Sequence, residues 1–411
     1  MDTPLPRRRF AALSLRFIGM VSLVLGTGLT LVAQGGPSTR DVEKEKLERL
    51  FADRQQKGLA EPFRGVTTPE GGRTGLFPLK VTGVPTDGLV AAAQAFLASL
   101  TPAQKARTAF AVDDDEWRKW CNVDNGIYVR QGTSLKEMDA AQRAAARELM
   151  RATLSAKGLA LADAVRHTDQ TLRELNHGDP SYDEELYFFT VMGTPSATEP
   201  WGWQLDGHHL IVNTFVLGDQ VTMTPAFWGG EPVHTKTGKY AGNVILQDEQ
   251  DRGLAFMRGL DPAQRAAAVI SPQKLPSNMQ AEAFKDNAVI PYAGVPAAKL
   301  TAAQRQQLLE VAALFVNNQQ EGQARVKLAE VAAHLDETWF AWIGDTAPDA
   351  VFYYRIHSPV ILIEFDHQRP IGVPGVPNEV TREHIHVIVR TPNGNDYGKD
   401  LLRQHLAAHP H

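Results

Sequence analysis

Hydrophobic and polar positions alternate most clearly in the second half of the chain. Leu210 to Val216 is β-branched and aromatic, the composition of a pleated strand, and Val221 to Phe227 is a second such run. Leu217-Gly218-Asp219-Gln220 between them has turn chemistry, so the two runs predict a β-hairpin. Pro225 is expected to end the ladder or lie on an edge. With a period of two, Trp201, Trp203, Leu205, His209, Ile211, Asn213 and Phe215 share one face. Gln204, Asp206, His208, Leu210, Val212 and Thr214 share the other, unless Gly207 seats a bulge that swaps them. On this reading His208 and His209 point apart. Leu186 to Met192, Val351 to His357, Val360 to Phe365 and Glu383 to Arg390 are further strands, and Phe77 to Val81 a short one. Leu210, Val212, Ile361, Ile363, Ile385, Val387 and Val389 are expected in the core.

The helical segments announce themselves by their first turns. Leu100-Thr101-Pro102-Ala103-Gln104, Met138-Asp139-Ala140-Ala141-Gln142, Leu260-Asp261-Pro262-Ala263-Gln264 and Leu300-Thr301-Ala302-Ala303-Gln304 each place Thr or Asp at an N-cap with Gln three residues on. That is a capping box. These read as four independently capped helices, not as a repeat of fixed period. Strands set among such helices, with hairpin-like pairs, predict an α+β fold: an antiparallel β-sheet with hairpins, flanked by several capped helices.

Length and address refine this picture. The 411 residues carry a net charge of -5 and 43% hydrophobic residues, a globular composition. Mild acidity without a basic stripe gives no reason to expect nucleic acid as a partner. Arg7-Arg8-Arg9-Phe10 precedes an apolar run from Phe17 to Ala33, so residues 1–33 read as an export signal, of twin-arginine or general secretory type, or as an uncleaved anchor. Residues 34–75 read as a linker and 76–411 as a single globular domain, with no integral membrane domain beyond the N-terminal segment. The expected location is periplasmic or extracellular. The lone cysteine, Cys121, cannot form an internal disulfide and is expected to be buried.

Candidate chemistry lies with the histidines. Eleven of the thirteen follow residue 200. In His384-Ile385-His386 on a strand, both imidazoles face one side and can converge on one metal ion. The same face continues to Arg390. A third ligand must come from another strand, and His209 and His357 are the leading choices. Tyr353, Arg355 and His357 alternate together, which places a guanidinium beside an imidazole. Glu364, Asp366 and Asp206 are candidates to fix the free ring nitrogens. Asp113-Asp114-Asp115-Glu116 reads as a solvated turn, and His405, His409 and His411 as exposed. The chain has no G-x-S-x-G elbow, no P-loop and no H-E-x-x-H.

The runs Gly202-Trp203-Gln204-Leu205-Asp206-Gly207-His208-His209, Phe227-Trp228-Gly229-Gly230-Glu231-Pro232 and His384-Ile385-His386 through Arg390 to Gly398 resemble the bacterial and fungal family catalogued as domain of unknown function 3500. The resemblance covers roughly residues 75 to 410. It implies no activity and carries no catalytic residues over.

Two functions compete. The first is an exported metal-dependent enzyme, a hydrolase in preference to an oxidoreductase. Its divalent metal (zinc, copper or iron) is held by His209, His357, His384 and His386. Arg355, Arg390 and Glu364 act on a small-molecule or polymer substrate, and Trp201, Trp203, Trp228 and Asp206 bind it. The second is a non-catalytic extracytoplasmic ligand-binding protein with a tryptophan platform.

Overall fold

All four capping boxes form. Thr101, Asp139, Asp261 and Thr301 each accept the N3 backbone N–H, and Gln104, Gln142, Gln264 and Gln304 each reach back to the N-cap. The structure is a computed structural model that describes residues 39–409; the Arg-rich and apolar stretch at 1–33, and His411, lie outside the described residues. Residues from Glu43 onward cluster into one compact unit. The helix α1 (Thr39–Ala60) comes first in chain order. The chain from Phe77 to Val81 forms no strand; Leu79 and Val81 are exposed and make no ladder.

The rest of the chain divides into two halves with the same order of elements. The first runs α2 (Asp87–Ser99), α3 (Pro102–Thr108), β1 (Ala109–Phe110), β2 (Thr133–Ser134), α4 (Ala140–Thr153) and α5 (Ala156–Leu175). It continues with β3 (Phe188–Met192), β4 (Trp201–Gly207), β5 (Leu210–Leu217), the short β6 (Gln220–Thr222) and β7 (Ala226–Gly230). The second runs α6 (Gln247–Gly259), α7 (Pro262–Ala268), β8 (Val269–Ser271), β9 (Val295–Pro296), α8 (Ala302–Val316) and α9 (Glu321–Ala333). It ends with β10 (Trp339–Gly344), β11 (Phe352–His357), β12 (Leu362–His367) and β13 (Ile385–Arg390), followed by α10 (Lys399–Ala408).

One mixed, mostly antiparallel sheet runs in the order β1-β3-β4-β5-β7-β13-β12-β11-β10-β8, with the short β2, β6 and β9 paired to β3, β5 and β10. Read from either edge, the order is the same if each strand is exchanged for its counterpart. Both edge pairs, β1–β3 and β8–β10, are parallel, and β7 meets β13 antiparallel in the middle. The caps repeat as well. Gln104 and Gln142 exchange side-chain hydrogen bonds at 3.2 and 2.7 Å, and Gln264 and Gln304 do so at 3.0 and 2.8 Å. The four helix starts are therefore two pairs, about 160 residues apart. The expectation of four independent helices is corrected to an internal structural repeat, which the strand sequences conceal.

The sheet has an apolar and a polar face. Hydrogen-bonded neighbours share a face, so Trp228, Leu210, Val387, Phe365 and Tyr354 form one row across five strands. This face packs on helices. Trp203 donates to Thr153 on α4 at 3.1 Å, Tyr354 donates to the Glu249 carbonyl on α6 at 2.8 Å, and Phe340 meets Phe256 edge-on. The seven aliphatic residues expected in the core are all buried. The opposite face is covered by irregular chain, residues 111–132 over the first half and 272–294 over the second, and it is rich in charge.

The hairpin differs from expectation. The main one is β4–β5, with Gly207 paired to Leu210 and His208-His209 as its two-residue turn. The predicted hairpin at Gly218-Asp219 also forms, but β6 stops at Thr222, three residues before Pro225. A two-residue turn inverts the parity of the faces. Trp201, Trp203 and Leu205 thus share the apolar face with Leu210, Val212 and Thr214, while Gln204 and Asp206 share the polar one with Asn213 and Ile211.

Candidate metal centre

The turn brings His209 to the polar face at the end of β5, next to the start of β13. His209 has φ +59, a left-handed conformation that costs a non-glycine residue roughly 1 kcal/mol or more. Both backbone groups hold it there: its N–H donates to the Asn122 carbonyl at 3.2 Å and its carbonyl accepts from Gly229 at 2.8 Å. His386 pairs with Gly229 across β13–β7, and His384 lies just before β13. Gly229 is small by necessity. A Cβ there would lie 2.8 Å from the Ile385 carbonyl oxygen and 3.3 Å from Cδ2 of His386.

The three Nε2 atoms form a triangle: His384 to His386 3.0 Å, His386 to His209 3.2 Å and His384 to His209 3.3 Å. Bonds of 2.0–2.1 Å to one ion separate nitrogens by about 3.3 Å at tetrahedral angles and about 2.9 Å at right angles. The triangle fits between these values, and these three residues form a group that could hold a metal ion. All three side chains are buried. Burial pushes the imidazoles of His209 and His386 well below the usual range and lowers that of His384, so each offers a neutral ring. Three nitrogen lone pairs converging in a buried place repel one another, and a cation between them removes that repulsion.

His384 Nδ1 donates to the Arg369 carbonyl at 2.7 Å, which pins its tautomer and turns Nε2 toward the other rings. Glu231 Oε2 stands 3.4 Å from the same nitrogen. Glu231 also accepts the backbone N–H groups of Ile371, Gly372 and Val373 at 2.8–3.0 Å, tying the loop after Arg369 to this ligand. The Nδ1 atoms of His209 and His386 have no partner among the described residues. Behind His209 lies His208, stacked on it at 3.9 Å between ring centroids. The two rings therefore do not point apart. Asp169 accepts from His208 Nδ1 at 2.5 Å and from the Tyr187 hydroxyl at 2.7 Å. Burial opposes charge on His208, but Asp169 outweighs it and raises its pKa.

The other candidate residues are placed elsewhere. His357 lies at the far end of β11, packed on Tyr292, with neither ring nitrogen bonded among the described residues; burial and Arg355 push its pKa down to about 3. Arg355, Glu364 and Arg390 bind the chain that covers the polar face. Arg355 donates to the Gln280 side chain and the Pro291 carbonyl, both at 3.1 Å. Glu364 accepts from the N–H groups of Gln280 and Ala281 and from the Tyr353 hydroxyl, and burial raises its pKa. Arg390 donates to the Ala281 carbonyl and pairs with Asp286 and Asp396. Asp206 pairs with Arg130 at 3.1 Å, and burial pushes it up to about 6. Burial pushes Asp366, paired with Lys274 at 2.9 Å, up to about 7.

None of the three carboxylates Glu364, Asp366 and Asp206 reaches a ring nitrogen of the triad. Their places are taken by the Arg369 carbonyl and Glu231, which no spacing in the sequence marks. Trp201, Trp203 and Trp228 lie in the core on the apolar face, away from the triad, as does Trp342. His405 is buried instead of exposed, and so is Glu116 of the acidic run, pushed up to about 7 by burial. Cys121 is buried, as expected.

His384 and His386 form part of the wall of a cavity of about 880 Å³ that opens to solvent. Among the described residues no helix is long and apolar enough to cross a membrane. Comparison with the curated proteins and with the solved structures gave no match. The family models gave one: the model described as Protein of unknown function (DUF3500) matches residues 82–399, which span the triad and both halves of the sheet, and the chain belongs to that family.

Proposed function

We propose that this protein is an exported metal-dependent enzyme centred on His209, His384 and His386, a hydrolase in preference to an oxidoreductase. The observation that supports it best is the convergence of three buried Nε2 atoms at 3.0–3.3 Å beside a cavity. Three protein ligands leave coordination positions for water and substrate, as in catalytic zinc sites, whereas structural sites close with four. When bound, a divalent ion in such a site acts as a Lewis acid toward water or a substrate oxygen. Hydrolysis needs only that acidity and water, while oxidation also needs an electron acceptor. The protein's part is to keep three imidazoles neutral, converged and next to a space large enough for substrate.

Elemental analysis of the protein purified without added metal tests this reading: close to one divalent ion per chain is expected, removed by chelator and restored by zinc, copper or iron. Protein that stays below about a tenth of an ion per chain after incubation with each of these metals would overturn it. Export rests on Arg7-Arg8-Arg9-Phe10 and the apolar run from Phe17 to Ala33. Fractionation of a tagged full-length protein should recover it outside the cytoplasm, and recovery as freely soluble cytoplasmic protein would refute export.

A further inference from the structure

The cavity beside the triad has a second wall besides the histidines. The last turns of α1 form it, held by three contacts. The Arg118 guanidinium donates to the Gly58 carbonyl at 2.6 Å, and the Tyr128 hydroxyl donates to Gln55 at 2.5 Å. Gly58 itself lies so close to Phe284 that a Cβ would meet the Phe284 carbonyl oxygen at 3.0 Å. Phe284 is held at φ +63, a strained conformation for an aromatic residue, and its side chain lines the same cavity.

The charges of the lining do not balance. Lys57 pairs with Asp53 at 2.8 Å, Lys285 with Glu282 at 3.2 Å, and Glu61 with Arg64 at 2.9 Å. Each carboxylate of the lining thus has its own cation. Arg54 and Arg369 have no carboxylate partner among the described residues. Arg54 lies over the Phe51 ring at 5.1 Å, and Arg369 reaches only the Asn378 amide oxygen at 3.4 Å. Arg54 belongs to α1 and Arg369 to the chain just after β12, and both line the cavity. Arg369 carries the carbonyl that holds His384, so its side chain springs from the immediate surroundings of the triad. A bound dication would add to this excess of positive charge.

We infer that the cavity takes an organic oxyanion. Its carboxylate or phosphate group is gripped by Arg54 and Arg369, and its apolar body lies against Phe51, Phe284 and Ile371. Guanidinium groups suit both oxyanions, since they donate paired hydrogen bonds in one plane. The inference rests on the metal-centre reading for what happens to the bound molecule, but the arginine grip does not require the metal.

The test is isothermal titration of benzoate, phenyl phosphate and benzyl alcohol into the metal-loaded protein, its R54Q and R369Q variants, and metal-free protein. Both arginines are exposed, so the glutamine variants should keep the parent circular dichroism spectrum. An anion should bind and the neutral alcohol should not. Each substitution should weaken the anion roughly tenfold or more, and the double variant should abolish binding. Preference for benzoate assigns a carboxylate substrate, and preference for phenyl phosphate a phosphate one. Equal binding of the alcohol, no binding of either anion, or affinity unchanged in both variants overturns the inference. Arginine-dependent binding by a protein that takes up no metal would uphold the anion site and sink the metal reading; metal uptake without anion binding would do the reverse.

Discussion

Replacing His386 with alanine should strip the bound metal and leave the fold standing. Apparent affinities of roughly 10–16 kcal/mol for four-ligand zinc sites amount to about 3 kcal/mol per ligand, so losing one of three imidazoles should weaken binding about 100-fold or more. The fold should survive because His386 lies on the polar face, whereas Ile385 and Val387, its neighbours in β13, carry the apolar one. The ring packs edge-on to Phe227 at 5.0 Å and makes no hydrogen bond outside the triad among the described residues, so little else is lost with it. H357A is the matched control. It removes another buried histidine on the same face of the sheet, at the other end of a strand, and should leave metal content unchanged. Elemental analysis and a competitive chelator titration, with circular dichroism to check folding, read the outcome. Full metal occupancy in H386A, or metal loss in H357A with its fold intact, would show that the triad is not the site.

The pairing of those two histidines also marks how far the sequence could be read. His384-x-His386 on a strand was legible because a period of two puts both rings on one face, and the apolar residues between and after them say which face is buried. The α+β class was legible from the same alternation together with the capping boxes. The choice of His209 over His357 was not, because it depends on where the β4–β5 turn falls. The usual turn residue, Gly207, stands just before that turn, and a histidine occupies the left-handed position where glycine or asparagine is expected. Reading 201–209 as continuous strand moves Trp201 and Trp203 to the wrong company and makes a site wall out of core residues. The repeat escaped for a different reason. Helix caps depend on a few local hydrogen bonds and keep their residue types, whereas strand positions keep only their polarity, so two halves of one fold share little besides Thr/Asp-x-x-Gln. The partners of His384 escaped because a backbone carbonyl has no residue type.

Arg390 is where the sequence and the structure assign opposite roles, and a substitution decides between them. It alternates with the histidines along β13, which fits a substrate-binding cation. In the structure it is fully buried, and each of its three nitrogens donates to a protein acceptor. It donates to the Ala281 and Glu282 carbonyls at 2.7 and 3.0 Å and to Asp286 and Asp396 at 2.7 and 3.2 Å, with its guanidinium 5.5 Å from the Trp120 ring. Burial disfavours its charge, but the two carboxylates outweigh burial and raise its pKa, so it stays charged. R390A should therefore unfold at much lower denaturant. Asp286 would keep Arg118 at 2.9 Å and the Tyr397 hydroxyl at 2.9 Å, but Asp396 would keep only neutral donors, such as the Thr391 N–H at 2.7 Å. A buried charge left without its partner costs about 3–5 kcal/mol. The same change removes three of the bonds that hold residues 281–286, which form the Phe284 side of the cavity, so anion binding should weaken together with stability even though Arg390 itself does not line that space. Equilibrium denaturation of R390A and R390K separates the roles. Lysine keeps the charge but cannot reach two carbonyls and two carboxylates at once, and should recover only part of the loss. A variant R390A within about 1 kcal/mol of the parent would mean that Arg390 does not anchor this segment, and the role of substrate cation would return to it.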